Sequence, residues 1–571
     1  MTIDPAVIDP ALLNPALLLL LGALAVPFLR GRWRGAWLTL LPLAAMALLW
    51  MLPDGVYGGF EVLGLAVQPL RVDSLALVFA TAFLLAALIA AVYALHLDDR
   101  MQQIVIPVYA ASAVGGALAG DLLTLFVCWE LAGLSSVFLI WARRTERANR
   151  AGMRYLVAQV ASGLLMLGGI VLHVQSGAGT GFGFIGADSA GGVLILLAAG
   201  IKCAFPFVHA WLQDTYPEAT VVGTVVLSSF TTKFAVYVLA RGFPGTGALV
   251  WVGVAMACFP IFYAVIENDL RRVLAYSMIN QLGFMVAAVG VGGALGVNGA
   301  AAHAFADILF KGLLLMSMGA VLLRTGTVKG SELGGLYKSM PQTTVLCIIG
   351  AASISAFPLF SGFATKSIIM QAFAEEHRTA VWLLLLFASA GVFHHAGIKI
   401  PFFAFFAHDR GYRVKEAPLN MRLAMGIAAA GCIAIGVAPD LLYGLLPYDM
   451  DYTAYTVPHV VNQVQLLLFA SLAFTLLMRT GLYPPELPSV NLDADVVYRR
   501  LLPRAWDAGV RTAAHVRTAF AKPLRQRADL ALSTAARPLR GRGWLGVPWS
   551  TDVMVLWVAL LLGLLLLLSL I

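Results

Sequence analysis

The chain has 571 residues, 60% of them hydrophobic and 12% charged. A soluble chain of this length would divide into several domains, each needing a polar surface that these residues cannot cover. The composition excludes that arrangement and predicts one bundle of membrane-spanning helices. The net charge of +8 follows from arginines placed between apolar runs, not from a nucleic-acid-binding surface.

The start, MTIDPAVIDP, is acidic and lacks the basic region of a signal peptide. Runs long enough to cross hydrocarbon, about 20 residues each, fall near 11–29, 36–52, 73–95, 104–119, 122–141, 155–173, 191–208, 221–240, 248–266, 273–292, 298–323, 343–373, 380–406, 420–445, 461–478 and 552–571. The cluster RGRWRG behind the first run places that loop in the cytoplasm and the N-terminus outside. Alternate loops then carry the basic residues: HLDDRMQQ, RRTERANRAGMR, ENDLRR, RTGTVKGSELGGLYK and HDRGYRVK. Loops on the other side, such as QSGAGTGFGFIGADSAG and PYDMDYTAYTVPHVVN, carry almost none. One missed or invented span would scramble this alternation downstream, so its persistence supports the count.

Between the last two runs lies a basic stretch, 479–551, in which arginines recur every three to seven residues among Leu, Val, Ala and Trp. This pattern predicts an amphipathic helix along the cytoplasmic membrane face, tethered by the final run. Cys128, Cys203, Cys258, Cys347 and Cys432 are scattered through apolar runs with no CxxC pair and read as small buried hydrophobes. GIKCAFPFVHAW and ISAFPLFSGFATKS each set Ala-Phe-Pro inside a spanning run beside a lysine. Pro206 and Pro358 are therefore candidate helix breaks in a repeated transport unit.

Several ionisable side chains sit too deep in these runs to reach the interface: Glu130, Lys202, Lys233, His303, Lys311 and Lys366. Four lysines facing lipid would forfeit on the order of 10 kcal/mol. They must instead face water, each other or an acid. Glu130 is matched to Lys202. Asp307, one turn before Lys311, is the one acid in view for Lys233 and Lys311, and it could hold Lys311 charged. A Glu–Lys pair that opens and closes swings a lysine between holding and releasing a proton, so the six residues form a candidate relay. His394, His395 and His408 read as structural, and Asp121 and Asp214 as helix-end residues near the interface. No cluster has metal-ligand spacing. There is no Walker A lysine, strand-borne GxGxxG or haem CxxCH, so no cofactor and no redox or hydrolytic site of its own is expected.

The stretches DLLTLFVCWELAGLSSVFLI, KCAFPFVHAWLQDTYPEATVVGTVVLSSFTTKFAVYVLAR, NDLRRVLAYSMINQLGFM, HAFADILFKGLLL and FPLFSGFATKS, in this order over about 70–480, resemble the proton-translocating antiporter-like subunits. That family serves respiratory complex I, membrane-bound hydrogenases and multisubunit sodium/proton antiporters, and the nearest likeness is to the D-type subunits of those antiporters. The resemblance implies an all-α polytopic membrane protein of about 14–16 transmembrane helices. It implies two inverted five-helix repeats with broken helices, and a charged axis parallel to the membrane. It assigns Glu130 and Lys202 as a regulating ion pair, Lys233 as a bridging lysine, His303 and Lys311 as connecting residues and Lys366 as the terminal lysine. Many relatives have a histidine where Asp307 stands. The basic stretch and last span are instead similar to the largest antiporter-like subunit of complex I, whose lateral helix braces its neighbours.

The expected division is 1–100, N-terminal helices; 101–241 and 242–410, two antiporter-like repeats; 411–478, C-terminal bundle helices; 479–551, the basic cytoplasmic-face segment; and 552–571, a final transmembrane helix. The expected function is proton translocation in a multisubunit complex, with cation/proton antiport first. The alternatives are a proton pump in a quinone reductase or hydrogenase, and a membrane scaffold or ion-conducting partner of a cytoplasmic enzyme. The expected partners are other membrane subunits, protons, sodium and the lipid of a bacterial inner membrane, with no nucleic acid.

Overall fold

The computed structural model describes residues 13–487, 491–537 and 549–568. The acidic start MTIDPAVIDP and the PLRGRGWLGVP portion of the basic stretch lie outside them. The chain forms two units, Met1–Ala494 and Asp495–Ile571.

The first unit opens with α1 (Pro15–Ala25) and α2 (Gly31–Met51). Two short antiparallel pairs follow, β1 (Gly55–Tyr57) with β4 (Leu70–Val72) and β2 (Phe60–Val62) with β3 (Leu65–Val67). Next come α3 (Ser74–Tyr93), α4 (Arg100–Ala117), α5 (Leu122–Trp141), α6 (Glu146–Gln175), α7 (Ala190–Lys202) and α8 (Ala210–Thr215). They are followed by α9 (Val221–Ser229), α10 (Thr231–Gly242), α11 (Gly247–Ile266), α12 (Leu270–Val291), α13 (Gly293–Thr325), α14 (Pro341–Ile354) and α15 (Ser361–Glu375). The unit closes with α16 (Thr379–Val392), α17 (Lys399–Pro401), α18 (Leu419–Val437), α19 (Asp440–Tyr443) and α20 (Val457–Thr480). Every apolar run read from the sequence falls on a helix. Among the described residues twelve helices are long and apolar enough to cross a membrane, and three apolar ones are shorter.

Many of these helices start at a side chain that takes the orphan N–H groups of the first turn. Asp121 Oδ1 accepts from Leu123 N and Thr124 N ahead of α5, and Asp269 Oδ1 accepts from Arg271 N and Arg272 N ahead of α12. The two starts are the same device. Leu122 N donates to Thr180 O and Phe182 N to Gly120 O (2.8 and 2.9 Å); Leu270 N donates to Val328 O and Gly330 N to Asn268 O (3.0 and 2.9 Å). The first device lies against 176–189, a loop without Lys or Arg. The second lies beside ENDLRR and Lys329. The same device thus occurs twice, once beside a loop without basic residues and once beside basic ones.

The helix breaks repeat as well. Ala204 (φ 61°) and Phe207 (φ 70°) flank Pro206, and Ala356 (φ 56°) and Leu359 (φ 73°) flank Pro358. Phe205 N donates back to Gly200 O and Phe357 N to Ala352 O. Both segments hold left-handed conformations that residues with side chains rarely adopt. A third break, which the sequence reading missed, separates α9 from α10 at Phe230 without proline or glycine. It is held by partners from elsewhere: Thr231 N donates to Tyr109 Oη (3.0 Å), and Lys233 Nζ donates to the freed Ser228 carbonyl (2.9 Å).

The interior is made of α9–α10, α12 and α13, whose apolar cores are 94%, 100% and 89% buried. These are the elements that carry Lys233, His303, Asp307 and Lys311. The burial pattern therefore keeps those charges off lipid, as the insertion cost requires.

The second unit contains α21 (Leu502–Ala536) and α22 (Thr551–Leu568). Taken by itself, α21 buries none of its residues. Leu502, Trp506, Val510, Phe520 and Leu524 share one side of it at helical spacing. Arg504, Arg511 and Arg525 lie on the other, the predicted amphipathic pattern.

Candidate functional site

Lys202 is the last residue of α7, immediately before the first proline break. Its buried ammonium donates to the Trp129 carbonyl (2.5 Å) and lies 4.2 Å from the Trp129 ring centroid, within cation–π range. Glu130, the next residue on α5, acts on it electrostatically. The two make no contact of salt-bridge length. The Glu130 carboxylate lies over Gly163 of α6 instead, where an added Cβ would collide with Oε1. That oxygen is buried with no hydrogen-bond partner among the described residues. The Trp129 carbonyl and ring take the ammonium, and the glycine makes room for the acid elsewhere. Gly163→Ala should therefore displace the Glu130 carboxylate, at a cost of no more than about 1 kcal/mol because the end of a flexible side chain can give way. Gly168→Ala, whose Cβ would meet Leu194 Cδ1 at an ordinary 3.8 Å, is the control. Unfolding of the purified protein compares them, and equal midpoints would refute the placement.

At the third break, Lys233 of α10 meets Asp307 of α13 at 2.5 Å, with both side chains fully buried. Of the two lysines for which the sequence offers Asp307 as the acid, the structure pairs it with Lys233. The carboxylate is already occupied by an ammonium from the neighbouring helix, and Lys311 Nζ donates to Ser277 Oγ of α12 (2.8 Å). The neighbour across the helix interface prevails over the neighbour one turn along.

His303, one turn before Asp307, sits in a hydrogen-bonded chain whose direction can be read. Asn280 Nδ2 donates to the Ala257 carbonyl, which can only accept, so Asn280 Oδ1 is left to accept from Gln281 Nε2 (2.6 Å). Gln281 Oε1 then accepts from His303 Nε2 (3.0 Å). The opposite nitrogen, Nδ1, faces Thr365 Oγ1 at 3.0 Å, and that hydroxyl also lies 3.0 Å from the Ser361 carbonyl. A threonine has one hydroxyl proton, so it serves either the histidine or the carbonyl. The hydroxyl thus has two competing partners, on the residue next to Lys366.

Lys366 of α15 donates to Ile354 O at the second break (3.2 Å) and Ser389 Oγ (3.4 Å), with its ammonium 5.0 Å from the Phe284 ring centroid. A cavity of about 20 Å³ adjoins it, lined by Phe363, Ser367, Ser389, His459 and Gln463, enough for about one water. His459 belongs to the first turn of α20, which follows the arginine-poor loop.

The structure thus brings Lys233 to Asp307 and links His303 to the neighbour of Lys366, while Glu130 and Lys202 stand as close but unbonded neighbours. Asp121 caps α5 as expected, and Asp214 near the end of α8 pairs with Arg154 (2.6 Å). Two further sites went unread. Lys399 donates to Val265 O (2.6 Å) and Glu267 O (2.7 Å), and pairs with Glu486 (2.8 Å). Asp493 accepts from Gln213 Nε2 (2.8 Å) and Tyr276 Oη (2.7 Å) and meets His209 Nε2 at 3.1 Å. A lysine inside IKIPFFAF was a visible signal for the first. Nothing local marked either acid as the partner of residues so distant in the chain.

Residues 119–393 match the family of the NADH:quinone oxidoreductase/Mrp antiporter transmembrane region. That span, a little under half of the chain, is similar to the antiporter-like subunits. The chain is 30% identical over 382 residues to the A-type subunit of the Na(+)/H(+) antiporter of Alkalihalophilus pseudofirmus, covering 58% of this chain and 47% of that one. It is 27% identical over 376 residues to hydrogenase-4 component B of Escherichia coli, covering 59% and 56%. The match thus spans about half the length of these relatives. The structure of the Mrp complex from Dietzia sp. DQ12-45-1b superposes with a TM-score of 0.77 at 25% identity, covering 93% of this chain and 64% of that one. The antiporter relative named here is of the A type rather than the D type.

Proposed function

We propose that this chain is the proton-translocating subunit of a multisubunit complex in a bacterial plasma membrane. Protons move along Glu130, Lys202, Lys233, Lys311, His303 and Lys366, with Asp307 as the acid that Lys233 and Lys311 contend for. The observation that carries this reading is the fully buried Lys233–Asp307 pair at the α9–α10 break. An opposite charge favours a protonated ammonium and a like charge disfavours it. Swinging one carboxylate between two lysines moves a proton without moving a helix. The repeated caps and breaks support the two-repeat division at 101–241 and 242–410. The cavity at Lys366, facing the start of α20, supports release on the arginine-poor side. Partner membrane subunits would complete the assembly, with 479–551 as a brace.

Exchange of protons for a cation is the leading coupling, and the Mrp likeness favours it. The hydrogenase relative supports the second reading, a proton pump driven by a redox partner. A test is the intact complex in proteoliposomes with a fluorescent pH reporter, with and without sodium or potassium. Lys202→Met and Lys366→Met should each slow proton movement at least about 100-fold, the scale of a lost proton-transfer group. Wild-type rates in both would leave a scaffold as the surviving function. Dependence on added cation separates antiport from a redox-driven pump.

A further inference from the structure

The chain beyond α16 departs from α-helical geometry. Phe393–Ile398 and Phe402–Phe406 are π-helical turns on either side of α17, and π-turns collect at functional positions. The first holds His394 and His395. His395 is fully buried, and neither ring nitrogen has a hydrogen-bond partner among the described residues. The Gly391 carbonyl, one turn back, is the near backbone group that acts on the ring. His394 Nε2 is unpartnered too. Its ring meets the edges of Phe474 and Tyr483, and the Tyr483 hydroxyl is a further buried polar atom without a hydrogen bond. Native interiors leave few such atoms, and a cluster of them marks bound water or a working site.

Position gives the cluster a direction. One turn along the chain, Lys399 holds the carbonyls that end α11, beside the arginine-rich ENDLRR loop, and pairs with Glu486. Deeper in, the charged and titratable groups acting on His395 are Lys311 of α13, His394 and Lys399, while Glu486 and Glu267 act on Lys399. His395 thus lies one turn from the buried Lys399–Glu486 pair, with Lys311 among the charges near it. Gly397 keeps this segment tight against the second break, since a Cβ there would collide with Ser355 Oγ.

We infer that His395 carries protons between the Lys399–Glu486 pair and Lys311, through water held by its two nitrogens, His394 and the Tyr483 hydroxyl. A proton taken on one ring nitrogen leaves from the other; no covalent bond to carbon changes, and the charge delivered to Lys311 equals the charge taken from the face. The inference rests on the proton-translocation reading and adds its feed from the arginine-rich side.

The test uses the intact complex in proteoliposomes, with His395→Gln, His395→Leu and Lys311→Met measured side by side across pH, each checked for assembly by native electrophoresis. Both His395 variants should slow proton movement at least about tenfold and flatten the pH–rate profile of the wild type. Full activity in His395→Gln with loss in His395→Leu would show a packing or water-ordering role and overturn the inference. So would full activity in both while Lys311→Met is dead, an outcome that leaves the translocation reading standing. Full activity in all three variants would overturn both. If His395→Leu fails to assemble, the glutamine variant decides. A high-resolution density map of the assembly supplies a measurement that no variant can confound. Water at hydrogen-bonding distance from the His395 ring is expected, and dry packing there overturns the proposal.

Discussion

Asp307→Asn should strand the Lys233 ammonium in a dry interior and lower stability by about 3–5 kcal/mol, the range for removing one partner of a buried pair. The magnitude follows from the geometry. Both side chains are fully buried at 2.5 Å, and Lys233 retains the Ser228 carbonyl as its hydrogen-bond acceptor, which satisfies a proton but not a charge. The double variant Lys233→Met/Asp307→Leu removes both charges at similar volume and should regain most of that loss while proton movement stays abolished. Denaturant unfolding in detergent, read by tryptophan fluorescence, measures the first effect and a proteoliposome assay the second. If Asp307→Asn unfolds like the wild type, the two groups are not paired in the working protein.

Asp493→Ala should release the segment that ends the first unit. The Asp493 side chain is 7% exposed and is an acceptor shared by His209, Gln213 and Tyr276. Those groups come from α8 and its leading residue and from α12. Each donor left buried without its acceptor costs about 1–3 kcal/mol. Limited proteolysis around 480–500 and amide exchange at 491–494 should both accelerate. The same anchor has a pH signature. Burial pushes the Asp493 carboxyl up, but the hydrogen bond and charge of His209, the Tyr276 hydroxyl and the Ala494 N–H together outweigh it, leaving the group below the ordinary 3.8. A lowered folded value means the stabilisation is present above 3.8 and is lost as pH falls through the lower value. Exchange protection at 491–494 should persist to pH 3.8 and vanish below it. Asp493→Asn should remove that acid-dependent step, and an unchanged acid profile would sink the assignment.

Much of the architecture was legible because insertion into lipid is judged residue by residue. An apolar run of sufficient length must span, a proline with no N–H must break its helix, and an ammonium at mid-span must be shielded. Those three rules locate the helices, Pro206, Pro358 and the buried lysines from composition and order alone. The break at Phe230 escaped them because it has no local cause: Tyr109 from α4 and the Lys233 side chain satisfy the backbone there.

Partner choice is different in kind. Asp307 lies one turn from Lys311 yet pairs with Lys233, Glu130 rests on Gly163 rather than on Lys202, and Glu486 and Asp493 reach back across the chain to Lys399 and His209. The sequence by itself determined that Lys202, Lys233, Lys311 and Lys366 are buried, since desolvation is a property of each residue and its neighbours along the run. Only the tertiary structure decided which charge meets which, since Coulomb attraction in a low-dielectric interior depends on distances of a few ångström set by helix packing.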